Sequence, residues 1–189
     1  MSTKITFLRH GATAHNSKGI YSGASDPPLD GDGVSMVERA AHKLCGEPYN
    51  ALFYGQMRRV EQTAQIVLGA LRQPPDMVRQ CREIHEMDFG LFEGLTYAEI
   101  EAKYPVEWQQ YMDCWQQFTF PQGSNIRSFF EDCGTFITGV LREHAGKNLL
   151  VVGHKGFILS CVATLQNEGL NGLFNRDIKH AKTLTLFID

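Results

Sequence analysis

Residues 7–16 read FLRHGATAHN, and the interpretation of the whole chain starts from this stretch. It lies partly within an apolar run that begins at Ile5, as expected for a buried strand. The run stops at Arg9 and His10, two residues that are costly to bury without partners. Either the strand simply ends in polar residues, or its carboxyl end carries a cation and an imidazole into a functional site.

A second strand ends in the same way. Residues 148–154, NLLVVGH, form the clearest buried strand of the sequence and end at His154. Strand-like runs alternate with helical patterns along the chain, which favours an α/β domain with a mostly parallel sheet. In such sheets ligands bind outside the carboxyl ends of the strands. If the two strands are neighbours, His10 and His154 face one crevice.

The sequence therefore predicts an α/β three-layer sandwich, in which helices flank a mostly parallel central sheet, formed by residues 1–189 as a single domain. The predicted strands cover residues 4–10, 50–55, 76–81, 148–154 and 183–188. The predicted helices cover residues 34–44, 58–71, 96–104, 105–115, 126–141 and 156–166. Residues 17–33 are rich in glycine and proline and are interpreted as a long, ordered loop.

Composition restricts the possible partners. The formal net charge is -3, so nothing overall favours nucleic acid or an anionic membrane, and anion binding needs a local cluster of positive charge. The five cysteines are odd in number and lack a C-x-x-C pair, which is typical of reduced thiols and indicates the cytoplasm. No zinc-ligand spacing and no Walker loop is found, so neither a metal nor a cofactor is predicted.

Four motifs follow one another along the chain. RHGATAHN at 9–16 continues through YSGASDPPLDGDG at 21–33. MRRVEQTAQIV at 57–67, IHEMDFGLFEG at 84–94 and VVGHKG at 151–156 come next. This ordered set resembles the histidine phosphatase superfamily, in its phosphoglycerate-mutase-like branch, and implies the fold of that branch. The same alignment selects Arg59, rather than Arg58, as the arginine of the second motif.

The resemblance implies a metal-independent phosphatase for a small phosphorylated metabolite. His10 would attack as the nucleophile and form a phosphohistidine. Arg9 and Arg59 would pair with the phosphoryl oxygens, and His154 would add a further hydrogen bond. Glu86 would act first as general acid and then as general base. The substrate-binding candidates are Gly11, Thr13, Asn16, Ser22, Gly23 and Lys155.

Each of these residues also has a purely structural explanation. Arg9 and His10 could merely end a strand, Arg59 could be solvated, and Glu86 could be ordinary surface charge. The complete, ordered set argues against those readings. His180 lies near a position where relatives often have asparagine, and its place in the pocket is left open. Four aromatic residues at helical spacing are interpreted as core rather than as a wall over the substrate: Trp108, Tyr111, Trp115 and Phe118.

Four residues differ from those common in the family, and they leave the identity of the substrate undetermined: Ile20, Gly55, Ser124 and Lys155. The short chain and the segment YSGASDPPL look most like the α-ribazole phosphatases of cobalamin biosynthesis. A cofactor-dependent phosphoglycerate mutase is the first alternative, since it would use the same site. A non-catalytic binding or regulatory protein is the second, although the presence of all five core residues argues against it. A homodimer through a sheet edge or a helix is compatible with the sequence.

Overall fold

The centre of the structure is a five-stranded mixed sheet, seen in a computed structural model that describes residues 2–189. The strands are β1 (Thr3–Arg9), β2 (Ala51–Tyr54), β3 (Met77–Gln80), β4 (Asn148–Gly153) and β5 (Thr183–Ile188). Their order across the sheet is β3-β2-β4-β1-β5. Neighbours among the first four strands are parallel, and β5 runs antiparallel to β1. The predicted strands and the mostly parallel sheet are confirmed.

Seven α-helices connect and cover the strands in the part of the chain that the structure describes. They are α1 (Ala14–Ser17), α2 (Gly31–Leu44), α3 (Arg58–Ala70), α4 (Tyr97–Lys103), α5 (Pro105–Cys114), α6 (Ile126–Glu143) and α7 (Lys155–Leu165). Short 3-10 turns occur at Gly90–Phe92, Trp115–Gln117 and Leu170–Phe174. None of the helices within residues 2–189 is long and apolar enough to cross a membrane.

Each face of the sheet carries its own apolar core. Strand β4 shows this directly, because Leu150 and Val152 belong to one core and Leu149 and Val151 to the other. Burial on both faces explains the unbroken apolar run of this strand. Helices α2 and α3 supply the first core with Val37, Ala41, Leu44, Val60, Ala64 and Val67. Helices α6 and α7 supply the second with Phe129, Cys133, Ile137, Phe157, Ile158 and Val162. The three-layer α/β fold class is confirmed, and the interpretation of residues 1–189 as one domain stays a prediction.

The helices differ most from the prediction in the segment between β1 and β2. Helix α2 begins at Gly31, because the Asp30 carboxylate caps it and accepts a hydrogen bond of 2.7 Å from the Gly33 amide. The segment DGDG therefore forms the cap and first turn of a helix, although glycine has low helix propensity and suggested a loop. Helix α1 was not predicted, since it is a single turn of four residues within the first motif.

The register of the central strands aligns their carboxyl ends. Arg9, the last residue of β1, pairs with Gly153, the last residue of β4. The next amide, of His10, donates to the Gly153 carbonyl oxygen at 3.0 Å. Both His10 and His154 therefore lie at the edge of the sheet that is formed by the carboxyl ends of the parallel strands.

A third segment reaches this edge by crossing the end of β2. A Cβ atom on Gly55 would lie 2.0 Å from the carbonyl oxygen of Ile84, so the backbone of Ile84 occupies the space that a side chain would need. Glu86 follows two residues later. The absence of a side chain at Gly55 thus permits the close passage of the segment that carries Glu86.

The substitution Gly55→Ser tests this close passage. Because Ile84 would have to shift, we expect the free energy of unfolding to fall by about 1–3 kcal/mol, measured by urea denaturation. Gly69→Ser is the matched control, since a Cβ atom at this position in α3 meets no atom within 4 Å. Equal unfolding midpoints for the two variants would contradict the packing described for Gly55.

Candidate active site

His10 is held in one orientation at the end of β1. Its side chain is 4% exposed, and Nδ1 lies 2.7 Å from the carbonyl oxygen of Gly11. A carbonyl oxygen only accepts hydrogen bonds, so Nδ1 carries the proton of the ring. In the neutral imidazole Nε2 then keeps its lone pair. The backbone thus selects the tautomer in which Nε2 can act as a nucleophile.

His154 lies against His10 at the end of β4. The two ring centroids are 5.2 Å apart, and the His154 side chain is completely buried. Neither of its ring nitrogens has a hydrogen-bond partner among residues 2–189. Buried polar atoms are nearly always paired, so these two nitrogens are available to a bound group.

Arg59 is buried in the first turn of α3, whereas the neighbouring Arg58 is exposed. Its guanidinium donates to the carbonyl oxygens of Ser25 at 2.7 Å and Gly23 at 3.0 Å. The nearest carboxylate oxygen, from Asp26, lies 3.9 Å away. Backbone carbonyls therefore orient Arg59 without cancelling its charge, and the placement agrees with the alignment that selected residue 59.

Arg9 brings a second guanidinium to the same edge. Its Nη1 donates to the carbonyl oxygen of Ile178 at 2.8 Å, and its Nε is buried without a partner among residues 2–189. Burial lowers the pKa of both Arg9 and Arg59, and the negative charge of Glu86 is the largest effect in the opposite direction. An arginine side chain nevertheless stays charged in proteins. Two fixed cations therefore flank the histidine pair.

Both histidines are neutral in this environment. Burial lowers the pKa of His10 well below its ordinary value of 6.5, and the charges of Arg59 and Arg9 lower it further. Burial also lowers the pKa of His154, with His10 and Arg59 as the next causes. Since a neutral imidazole has a free lone pair, the electrostatics of the site maintain the nucleophilic form of His10.

Glu86 is seated at the amino end of α7. One carboxylate oxygen accepts from the Gly156 amide at 3.1 Å, and the other accepts from its neighbour Met87 at 3.0 Å. A Cβ atom on Gly156 would lie 2.3 Å from Oε1 of Glu86, so the absence of a side chain permits this approach. The negative charge of Glu86 raises the pKa of both Arg9 and Arg59, in opposition to burial.

Glu93 supports the loop that holds Arg59, a role that the sequence did not reveal. Its carboxylate accepts hydrogen bonds from the amides of Gly23, Ala24 and Ser25 at 2.7, 2.8 and 3.2 Å. These are the residues around the carbonyls that receive Arg59. The sequence signal for it was its position in the third motif, IHEMDFGLFEG.

Three of the predicted substrate-binding residues belong to the first loop: Gly11, Thr13 and Asn16. Gly11 and Thr13 follow His10 at the end of β1. The Gly11 amide donates to Thr63 Oγ1 at 3.2 Å, and Thr13 is 1% exposed. Asn16 Oδ1 accepts from the Thr13 amide and hydroxyl at 3.0 and 2.9 Å, so the side-chain carbonyl of Asn16 faces its own loop. Thr63 is a buried hydroxyl that was not predicted, and it donates in turn to the Arg59 carbonyl oxygen at 2.7 Å.

The other candidates have structural partners of their own. Ser22 Oγ lies 2.8 Å from Ser25 Oγ within the loop network. Gly23 permits tight packing, since a Cβ atom there would lie 1.7 Å from the Met87 carbonyl oxygen. Lys155 Nζ pairs with Asp177 Oδ1 at 2.6 Å and is part of the wall beside Glu86.

Two of the departures from common family residues also have local roles. Ser124 Oγ accepts from the Asp88 amide at 3.1 Å, and its own amide donates to the Asp88 carbonyl oxygen at 2.8 Å. Ser124 therefore fastens a loop to the segment that follows Glu86. Ile20 forms an isolated bridge with Thr96, at the start of α4.

His180, which the sequence left open, lies beside the site. Its ring centroid is 5.5 Å from that of His10. The turn before β5 positions it, because the following amide of Ala181 donates to the His10 carbonyl oxygen at 3.1 Å. Burial, followed by the charges of Arg9 and Lys155, lowers the pKa of His180 to about 4. A third neutral imidazole thus borders the pocket.

The aromatic residues of α5 and the turn after it divide between two roles. Trp108 and Phe118 are buried in the core, which confirms the prediction for them. Tyr111 and Trp115 also pack against this core, but they are only half-buried and line a cavity that reaches Glu86. Both interpretations that the spacing allowed therefore apply to these two residues, because α5 and its turn stand at the rim of the site.

No cluster of three or more histidine, cysteine or acidic side chains arranged to hold a metal ion occurs within residues 2–189. The groups gathered at the sheet edge are instead two cations, three imidazoles and one carboxylate. This set contains the types of group that a phosphoryl transfer needs: a nucleophile, anion-binding groups and a proton donor.

Burial of neutral histidines makes the stability of the fold depend on pH. The folded-state pKa of His10 and His154 lies well below 6.5, so the unfolded chain binds more protons as the pH falls through 6.5. The free energy of unfolding is therefore highest above about pH 7. At pH 5.5 each of the two histidines has lowered it by about 1.4 kcal/mol. Urea unfolding of the wild type and His154→Gln at pH 7.5 and 5.5 measures this loss, which we expect to be smaller in the variant. His42→Gln, at an exposed position of α2, is the control, and equal losses in all three proteins would contradict the assignment.

Comparison with known proteins agrees with this geometry. The family model of the histidine phosphatase superfamily (branch 1) matches residues 5–188. The adenosylcobalamin/alpha-ribazole phosphatase of Escherichia coli is 25% identical over 162 residues, covering 86% of this chain and 78% of its own. A 2,3-bisphosphoglycerate-dependent phosphoglycerate mutase of Rhizobium rhizogenes is 28% identical over 177 residues, covering 87% of this chain and 80% of its own.

Among solved structures, one from Escherichia coli with the provisional name alpha-ribazole-5'-P phosphatase superposes with a TM-score of 0.90. The two proteins are 25% identical, and the match covers 100% of this chain and 92% of the other. The family model alone spans nearly the whole chain, and the superposition extends the agreement to the fold. The protein therefore belongs to branch 1 of the histidine phosphatase superfamily and is an enzyme of that superfamily, whose members act on small phosphorylated metabolites.

Proposed function

We propose that the protein is a metal-independent phosphatase that hydrolyses the phosphate monoester of a small metabolite through a phosphohistidine at His10. One observation carries this proposal. The Gly11 carbonyl oxygen fixes the Nδ1–H tautomer of His10, and burial of the ring, together with the charges of Arg59 and Arg9, keeps it neutral by lowering its pKa. Nε2 is thereby a nucleophile at neutral pH next to groups that attract an anion.

In the first step the phosphoryl group of the substrate lies between Arg9 and Arg59. Nε2 of His10 attacks phosphorus, and the bond from phosphorus to the ester oxygen breaks. Glu86 donates its proton to the departing oxygen, so an alcohol leaves and Glu86 becomes a carboxylate. The product of this step is His10 carrying the phosphoryl group on Nε2.

In the second step water replaces His10. The Glu86 carboxylate removes a proton from the water as its oxygen attacks phosphorus, and the bond from phosphorus to Nε2 breaks. Inorganic phosphate leaves, His10 is again neutral, and Glu86 is again protonated. Throughout, the guanidiniums of Arg9 and Arg59 and the ring of His154 stabilise the charge of the transferring group from fixed positions.

The proposed substrate is α-ribazole 5'-phosphate, which would place the protein in cobalamin biosynthesis. The Escherichia coli relative at 25% identity carries the name of that activity, and the segment YSGASDPPL resembles its family. The homodimer and the cytoplasmic location expected from the sequence stay predictions.

A phosphoglycerate mutase is the second candidate function, because a relative of that name is 28% identical. A mutase would use the same first step but return the phosphoryl group of His10 to the substrate rather than to water. Net release of phosphate therefore separates the two functions. A purely binding protein is less well supported, since all the groups needed for transfer are present.

Phosphate release in the presence of a chelator tests the proposal directly. The panel contains 4-nitrophenyl phosphate, 3-phosphoglycerate, a fructose bisphosphate and α-ribazole 5'-phosphate. We expect release by the wild type, none from His10→Ala, and a rate that is roughly 10²–10⁴ lower for Glu86→Gln, the usual contribution of a general acid. Undiminished release by His10→Ala would refute the mechanism, and interconversion of phosphoglycerates without net release would favour the mutase.

Neighbouring arginines supply a matched control for this experiment. Arg59→Ala removes a buried cation from the site, whereas Arg58→Ala removes an exposed one from the same helical turn. We expect kcat/KM to fall by roughly 10²–10³ in the first variant, as for the loss of one preorganised electrostatic group, and to stay at the wild-type value in the second.

A further inference from the structure

A largely apolar cavity of about 260 Å³ opens beside Glu86, outside the groups assigned to the phosphoryl transfer. It reaches Glu86 and Gly156 on one side and the aromatic residues of the third motif and of α5 on the other. Most of its lining residues are apolar or aromatic, among them Phe89, Tyr111, Trp115, Phe120, Ile126 and Phe174. The volume is below the roughly 300–1,000 Å³ of typical drug-sized pockets, so it suits one compact ring system rather than a long chain.

Its position identifies the part of the substrate that it faces. In the proposed function, on which this inference rests, Glu86 protonates the oxygen of the departing alcohol. The rest of that alcohol must therefore lie next to the Glu86 carboxylate, and this cavity begins there. The cavity is thus placed to receive the leaving group of that mechanism.

Two aromatic side chains form its outer wall. Trp115 and Phe174 come from separate 3-10 turns and meet edge to face, with ring centroids 4.6 Å apart and an interplanar angle of 88°. Phe174 is 67% exposed, which is unusual for so large an apolar side chain. Aromatic faces of this kind bind flat rings by stacking, largely irrespective of the pattern of polar groups on the ring.

The cations in the wall are already paired with carboxylates. Lys155 binds Asp177 at 2.6 Å, and Arg176 forms an ion pair with Glu168. A carboxylate on the substrate, as in phosphoglycerate or phosphoserine, would have to compete with these internal partners. Arg176 Nη1 is buried without a partner among residues 2–189, which leaves one donor for a neutral acceptor.

We propose that this cavity binds an uncharged aromatic or heteroaromatic ring on the leaving alcohol. Trp115 and Phe174 stack on the ring, and Arg176 offers a hydrogen bond to an acceptor on it. The enzyme thereby selects phosphate monoesters of ring-bearing alcohols over those of hydroxy acids and amino acids. The departing alcohol, rather than the phosphoryl group, determines specificity.

The test compares esters of primary alcohols, so that the intrinsic reactivity of the leaving group is similar. The substrates are 2-(1-naphthyl)ethyl phosphate, butyl phosphate and phosphoserine, and the readout is the ratio of their kcat/KM values. We expect the wild type to prefer the naphthyl ester over both others by roughly ten- to a hundredfold, as one stacked ring predicts. Trp115→Ala and Phe174→Ala should each reduce that preference about tenfold, mainly through KM. Phe187→Ala is the matched control, because Phe187 is 70% exposed on β5 and is not part of the cavity wall.

A binding measurement separates this inference from the proposed function. Calorimetric titration with 2-(1-naphthyl)ethylphosphonate and butylphosphonate requires no turnover. Tighter binding of the naphthyl compound that depends on Phe174 would support the cavity assignment even if no ester were hydrolysed. Equal affinities for the two phosphonates, or equal kcat/KM values for all three esters by an active enzyme, would overturn it and leave the phosphatase proposal intact.

Discussion

The parallel pairing of β1 with β4 is the constraint on which the site depends. It sets Arg9 opposite Gly153, and the His10 amide continues the ladder by bonding to the Gly153 carbonyl oxygen. His10 and His154 consequently leave the sheet side by side, with their rings 5.2 Å apart. A shift of one residue in this register would exchange the two faces of β1 and remove both the core residues and the histidine from their places.

The second constraint is electrostatic. Arg59 is buried and Arg9 is partly buried, yet backbone carbonyls rather than carboxylates accept their hydrogen bonds. Carbonyl dipoles orient a guanidinium and leave its net charge available to an anion. The same positive charge, added to burial, keeps His10 and His154 neutral. One arrangement of charge thus both favours an anion and keeps the lone pair of the His10 ring free, at the expense of stability at acidic pH.

The sequence predicted those features that depend on local pattern. The ends of β1 and β4, the choice of Arg59 over Arg58, and the alternation of strands with helices follow from apolar periodicity and from motifs read in order. Features that depend on contacts between distant segments were missed or left open. The role of Glu93 was missed because the amides that it binds lie about seventy residues earlier in the chain. Tyr111 and Trp115 had the spacing of core residues, and only the packing of α5 against the rest of the fold shows that they also line a cavity. The position of His180 was equally hidden, since the turn before β5 sets it.

The central claim is that His10 carries the phosphoryl group during turnover. The most direct measurement is a rapid alkaline quench of the reacting enzyme, followed by mass spectrometry of its peptides and ³¹P NMR of the modified histidine. We expect a transient phosphoryl group on Nε2 of His10 and none in His10→Ala. A phosphoryl group on another residue, or continued phosphate release with His10 never modified, would contradict it.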